Sequence, residues 1–532
     1  MSVIANNPLL AGFYPDPTIC AVGEDYYIVN SSFAYFPGLP IMHSRDLAHW
    51  EQIGNVLTRE SQLPLKEAQI SRGLFAPTMR YYDGVYYVIC TNVSFGGNFI
   101  VTADKPEGPY SDPHYLEGAD GIDPSLFFDE DGRCYYIGTH PNPDGCRYDG
   151  DWFIYIQEVD IKEFKLIGEP KNVWNGAMKG VHWPEGPHLY HIGDYYYIIH
   201  AEGGTGPEHA ISVARSKEVF GPYEQNFCNP IFTHRHLGQK YPIKYVGHSD
   251  LFQIANGDWY MVMLAVRPAN GYTTMGRETF LARVIWENDW PVVNPGLGML
   301  AAQMVIDLPE AIPECRPTSV PNVSKLYDFT KQFKLGPEFM YLRNPREDMY
   351  KLVENEGLYL TCSPEKITGF GKPSYICLRQ DCHCFEAAVT FKGDDLYDGA
   401  VAGLCLFQNE DFNVRVEYGG CHADVIVRKD GKEEKVGSLM AAQNLVTFVL
   451  NVIGTKANVF MVNEGKLENL AKDIDVSNLS TEVAGGFVGC TVGIYAQNYE
   501  ENDTMVRALF KSFSYKRIIP VKKDEKKEEV NG

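Results

Sequence analysis

Strand-length stretches of apolar and polar residues run through most of this chain, and in its first part they recur in a fixed order. A turn of Gly with Asp, Glu or Asn leads into paired aromatics and an apolar run. The copies are GEDYYIVNSS from Gly23, DGVYYVICTN from Asp83, DGRCYYIGTH from Asp131, GDYYYIIHAE from Gly193 and NGDWYMVMLA from Asn256. Behind each follows an alternating strand ending in a polar turn, often at Trp or Gly-Pro-Tyr. These are IMHSRDLAHW from Ile41, FIVTADKPEGPY from Phe99, IYIQEVDIKEFKLIG from Ile154, ISVARSKEVFGPY from Ile211 and FLARVIWENDWPV from Phe280. A period of two, rich in Tyr, Val and Ile and closed by Gly, Pro and Asp, predicts β-strands. Five units of about 60 residues predict a five-bladed β-propeller, each blade a four-stranded sheet around a central channel. The alternative for the same strands is an irregular β-sandwich.

The pattern changes near residue 303. The run from Asp307 to Ser324 is proline-rich and has no strand period, so a propeller over 1–302 is expected to give way to a linker over 303–324. All seven tryptophans precede that run. Beyond it, short alternating strands such as GLYLTC, CFEAAVTF, AGLCLF, FNVRVEY and LVTFVLNV predict a β-sandwich over 325–517, of jelly-roll, lectin-like type. The terminal stretch 518–532, ending VKKDEKKEEVNG, reads as a charged, disordered tail. The predicted fold class is therefore all-β.

Composition narrows the function. The chain has 532 residues, 45% hydrophobic, 13% aromatic and 22% charged, enough for two or three domains with cores of their own. Its net charge of −22 argues against nucleic acid and anionic membrane surfaces as partners, because both would repel it. No apolar run approaches the roughly 20 residues that cross a bilayer. The N-terminal MSVIANNPLLAGF lacks the basic start and long apolar segment of a secretory signal, which leads to an expected cytoplasmic location. Thirteen cysteines without a disulfide framework read as reduced thiols. Cys382-His383-Cys384 lies in a strand-like run with no second ligand pair nearby, and reads as strand rather than metal site.

Three acids stand in unusual contexts. Asp16 lies between two prolines in GFYPDP, Asp123 repeats the Asp-Pro pair in DGIDPSLF, and Glu185 follows proline in HWPEGPHLY. Taken one at a time, each reads as a turn residue. All three, however, sit just upstream of a paired-aromatic strand, on or near the innermost strand of a blade, where a propeller gathers distant segments at its axis. Carboxylates gathered there repel one another, so their convergence implies a cation or a chemical task. Glycoside hydrolysis needs two, one to protonate the leaving oxygen and one to act at the anomeric centre. A third beside the acid raises its pKa.

At these residues the sequence resembles glycoside hydrolase family 43, the five-bladed β-xylosidases and α-L-arabinofuranosidases. The matching motifs are GFYPDPTIC, SSFAYFPGLPIMHSRDLAHW, GIDPSLF, EGPHLY, AEGGTGPEHAISVARS, GHSDL and GRETF, in order along nearly the whole chain. The resemblance implies Asp16 as general base, Glu185 as general acid, and Asp123 as the carboxylate that tunes and orients the acid. It implies Arg277 beside the base at the glycone subsite, with Phe33 and Phe75, together with Trp183, lining the sugar pocket. His248 matches an axial histidine near a bound cation, often calcium, or an ordered water; the chemistry itself requires no cofactor. The expected reaction is inverting hydrolysis, with base and acid roughly 6.5–9.5 Å apart. The expected substrates are the non-reducing ends of short xylo- and arabinoxylo-oligosaccharides, with both β-D-xylose and α-L-arabinofuranose released. The sandwich is expected to brace the propeller and lend a loop to the pocket rim, and a homo-oligomer is compatible with the reading. Two rivals are weighed against it. Fructan and sucrose hydrolases share the fold, but carry Cys after the acid and Asn-Asp-Pro-Asn at the nucleophile, where this chain has Gly186 and Tyr-Pro-Asp-Pro. A non-catalytic sugar-binding or scaffolding propeller has no need of three proline-flanked acids.

Overall fold

The computed structural model of the protein describes residues 2–178, 180–308, 324–397, 399–500 and 505–518. Most of the predicted linker and all but the first residue of the predicted tail lie outside the described residues. Among the described residues the chain forms five four-stranded sheets, one two-stranded sheet and two eight-stranded sheets. The five small sheets are the blades of the propeller. Blade I comprises Thr18–Val22, Asp25–Val29, Gly38–Ser44 and Glu51–Leu57; blade II starts at Thr78–Tyr82, blade III at Ile122–Phe128, blade IV at Glu185–Ile192 and blade V at Lys244–Gln253. The first strands of successive blades touch in ring order, blade V meeting blade I, and so line the axis.

The paired aromatics are explained by this packing. Successive side chains of a strand point to opposite faces, and both faces of a blade are covered by its neighbours. Tyr26 packs into the core between blades V and I, and Tyr27 into the core between I and II. Tyr136 and Tyr135 divide in the same way between blades II–III and III–IV. Tyr196 packs against the III–IV core, while Tyr197 lies between IV and V. Each ring so buried contributes roughly 2–3 kcal/mol of hydrophobic free energy. The preceding turns suit their residues. Asp83 and Gly84 both have positive φ, 46° and 82°, the backbone that a two-residue hairpin turn of matching twist requires.

Ring closure uses the chain ends. Ser2–Asn6 pairs with Gln303–Asp307, so the stretch expected to begin the linker at 303 instead forms a strand that closes the ring, its Gln-Met-Val-Ile-Asp alternating like the other strands. Leu10 also bridges Thr279 of blade V. The sandwich consists of the two eight-stranded sheets, and one of them takes its edge strand from the propeller: Tyr35–Phe36, in the connection between the second and third strands of blade I, pairs with Met340–Leu342. The core between blades I and II accordingly continues into the sandwich core without a break. Buried polar bonds fasten the seam. Asn344 bridges Leu63 and Leu65, and Arg343 Nη1 donates to the Ala68 carbonyl at 3.0 Å.

Candidate active site

The functional side chains sit where the first strands begin, and the backbone there is bent to aim them. Asp16, Phe33, Asp123, Trp183 and His248 all have φ between 47° and 54°. Aspartate tolerates this left-handed region, whereas bulky residues reach it only when their surroundings impose it, at roughly 1–3 kcal/mol each. Phe33 is held by backbone bonds in both directions with Leu74. Bulges interrupt the strand register at Asp123, at Glu185–Pro187 and at His248, and a bulge re-aims a side chain out of the pleat. Gly186 has φ 57°, and a Cβ there would lie 2.8 Å from the His248 ring, so the site leaves room for no side chain between acid and histidine.

These segments converge on a cavity of about 360 Å³ whose lining includes Asp16, Asp123, Glu185, Arg277, His248 and Trp183. The structure thus brings together all eight residues singled out in the sequence, since Phe33 and Phe75 line it as well. Asp16 is buried. Arg277 grips it with Nη1–Oδ1 at 2.6 Å and Nη2–Oδ2 at 3.3 Å, Ser31 Oγ donates to Oδ2 at 2.6 Å, and His248 Nδ1 stands 3.7 Å from Oδ1. Burial alone would push this carboxyl up, but Arg277, His248 and Ser31 outweigh burial and hold it below the usual carboxylate range. Asp123 has no such cation in contact. Burial pushes it up to about 6, with the charge of Asp16 adding to the rise, and His248 and the Gly186 N–H only partly offset this. Glu185, half-buried at the cavity wall, is pushed well above its ordinary value by desolvation and then by the charges of Asp123 and Asp16. The surroundings therefore pull the two proton affinities apart, lowering that of Asp16 and raising that of Glu185.

One wall is aromatic. Phe33 packs edge-on against Phe75 at 5.5 Å and stacks on Phe487 at 6.1 Å, while the Arg277 guanidinium lies 5.7 Å over Phe33 and 5.6 Å over Phe487. Trp183 stands close to Gly204, where a Cβ would meet the indole at 2.7 Å. Sequence reasoning missed Phe487, Trp152 and Thr205. Phe487 reaches the cavity from the sandwich, and its only signal is a lone aromatic between glycines, outside any strand pattern. Buried Asp250 accepts from Thr18 Oγ1 at 2.7 Å, Tyr190 Oη at 2.6 Å and Arg80 Nη1 at 2.9 Å, and Arg80 Nη2 lies 3.0 Å from His188 Nδ1. This network ties blades I, II, IV and V across the axis. Asp250 and His188 lie inside the motifs GHSDL and EGPHLY, whose structural half the sequence does not separate from the functional half.

No group of three or more His, Cys, Asp or Glu among the described residues is arranged to hold a metal ion. The axial His248 offers nitrogen, and its carboxylate neighbour Asp16 is already engaged by Arg277, whereas calcium prefers six to eight oxygens. The residues themselves do not supply a calcium cage.

Two acids of opposed proton affinity lining one partly aromatic cavity are what cleavage of a glycosidic bond requires, and fold and site together define a glycoside hydrolase. Residues 5–291 match the model of glycosyl hydrolases family 43, and residues 327–516 match that of the β-xylosidase C-terminal concanavalin A-like domain. The chain belongs to glycoside hydrolase family 43. It is 50% identical over 521 residues to a xylosidase/arabinosidase of Butyrivibrio fibrisolvens, covering 93% of this chain and 96% of that one. It is 34% identical over 511 residues to a non-reducing end α-L-arabinofuranosidase of Bacteroides ovatus, covering 94% and 92%. Among solved structures, a xylan β-1,4-xylosidase from Bacillus halodurans superposes with a TM-score of 0.87 at 32% identity, over 96% of this chain and all of that chain. These matches favour neither a fructan hydrolase nor a non-catalytic propeller.

Proposed function

We propose that the enzyme removes terminal β-D-xylose and α-L-arabinofuranose from the non-reducing ends of short xylo- and arabinoxylo-oligosaccharides, with inversion. The observation that carries this reading is the split in proton affinity between Asp16, held low by Arg277, and Glu185, held high by desolvation and its acidic neighbours. Asp16 takes a proton from a water, whose oxygen attacks the anomeric carbon as Glu185 delivers its proton to the departing glycosidic oxygen. Asp123 adds its charge to the desolvation that raises the proton affinity of Glu185 and, through the Gly186 N–H, keeps the bulge that aims it. Arg277 holds Asp16 ionised, and the wall of Phe33, Phe75, Phe487 and Trp183 receives the apolar face of the sugar. The relative named a non-reducing end α-L-arabinofuranosidase, 34% identical to this chain, supports an exo mode. The names of the relatives support the two sugars. A cytoplasmic site of action fits the free thiols of the described cysteines.

Rates on 4-nitrophenyl β-D-xyloside and α-L-arabinofuranoside test the proposal. Asp16→Ala should lower kcat/KM on both by at least about a hundredfold, since one pocket and one base serve both sugars. Undiminished turnover would remove Asp16 from the role of base, and loss on only one substrate would refute the shared pocket.

A further inference from the structure

The sandwich does more than supply Phe487. Its segment Thr481–Cys490 lies against Thr273–Gly276, the blade V loop that ends at Arg277. Glu482 accepts from the Thr273 N–H and from Thr273 Oγ1, both at 2.7 Å, and the Thr481 N–H donates to the Thr273 carbonyl at 3.0 Å. The Cys490 N–H donates to the Thr274 carbonyl at 2.7 Å. Between these bonds the two backbones touch. A Cβ on Gly489 would lie 2.3 Å from the Met275 carbonyl oxygen, and one on Gly276 would lie 2.7 Å from the Gly489 nitrogen. Within the segment, the Phe487 N–H donates to the hydroxyl of Ser71, in the connection between blades I and II, at 2.9 Å. On its other side Arg277 adjoins Glu278, which is buried and clamped by Arg267 with two bonds of 2.7 Å. The residue that grips Asp16 thus hangs between an anchor within the propeller and an anchor supplied by the other domain.

We propose that the sandwich segment Thr481–Cys490 positions Arg277 against Asp16, with Glu482 and Gly489 as the positioning residues, so that the active site is complete only when the two domains are docked. The inference rests on the proposed role of Asp16 as base. It assigns to the second domain control over the ionised base as well as over pocket shape. Glu482 pulls the loop down through Thr273, while Gly489 permits the close approach that sets its height.

The groups facing Asp16 are Arg277, His248, His209, Asp123 and Glu185. Of these, only Arg277 lies on the braced loop. Displacing it should therefore raise the proton affinity of Asp16 and move the acid limb of kcat/KM to higher pH. In the full-length enzyme, E482A is expected to move that limb up by about half a unit, and G489A by about one unit. Both should lower kcat by about tenfold or less, with KM changed less. N344A, which breaks more deeply buried interdomain bonds on the blade I side, should lower the melting temperature and leave the limb in place. The inference is overturned if E482A and G489A behave like N344A, losing stability with an unmoved acid limb. T273V, which removes the hydroxyl and keeps the amide, gives the same reading should G489A not fold. Crystal structures of E482A and G489A decide the point without turnover, and so separately from the proposed reaction. Loss of the 2.6 Å Arg277–Asp16 contact supports the brace, and its retention in both variants refutes it.

Discussion

Replacing Asp123 by asparagine tests the charge logic of the pocket with little change of shape. The amide oxygen can still accept the Gly186 N–H, while one negative charge leaves the surroundings of Glu185. Two like charges about 6 Å apart at an effective dielectric of about 20 repel by roughly 3 kcal/mol, or about 2 pH units of proton affinity. Glu185 in D123N retains its desolvation and the charge of Asp16. The alkaline limb of kcat/KM should therefore move down by about 1–2 units. The assay has to make proton donation matter. Xylobiose has a leaving group that needs the acid, whereas 4-nitrophenol departs with little help, so the shift should be clear on xylobiose and the rate loss smaller on the nitrophenyl glycoside. An alkaline limb that stays in place on xylobiose would refute the reasoning.

The same variant makes a stability prediction. Because the folded-state pKa of Asp123 is raised, from 3.8 to about 6, its contribution to stability is fully present only below about pH 4 and is lost as pH climbs through 6. At neutral pH the ionised group costs on the order of 3 kcal/mol. D123N should melt above the wild type at neutral pH and show no such gain in acid.

Three further outcomes follow from particular contacts. Gly186→Ala places a Cβ 2.8 Å from the His248 ring on a backbone of φ 57°, and should cost roughly 1–3 kcal/mol in stability and tenfold or more in kcat/KM; wild-type kinetics would show that the bulge does not aim Glu185. Phe487→Ala removes the sandwich side of the aromatic wall, and should raise KM by about tenfold with a smaller effect on kcat, since the wall touches ground and transition states alike. Asp250→Ala leaves the half-buried Arg80 without its carboxylate and should destabilise the propeller by about 3 kcal/mol, measured by denaturant unfolding; a loss under about 1 kcal/mol would mean that the axial network is not holding the blades together.

The repeat of turn, paired aromatics and apolar run was legible because every blade solves the same packing problem. A second strand covered on both faces needs a large side chain on each, and two adjacent aromatics supply them. The three acids were legible for a related reason: each follows or precedes proline at the same point of its repeat, where the axis collects what the sequence scatters. Phe487 and the brace through Glu482 and Gly489 carried no such mark. Glu482 lies 209 residues from Thr273, and nothing local in either segment requires the other. Asp250 was hidden by company, since its motif also holds His248 and only the strand pleat tells which of the two meets the pocket.

By itself, then, the amino-acid order determined the blades, the sandwich and the set of acids, because periodicity, turn chemistry and repetition are local properties written along the chain. The tertiary structure alone decided how the carboxylates' surroundings pull their proton affinities apart, which bonds cross the axis, and which sandwich segment reaches the site. Those outcomes depend on burial and on distances between segments far apart in the chain, and proton affinity in a pocket is set by neighbours that only folding provides.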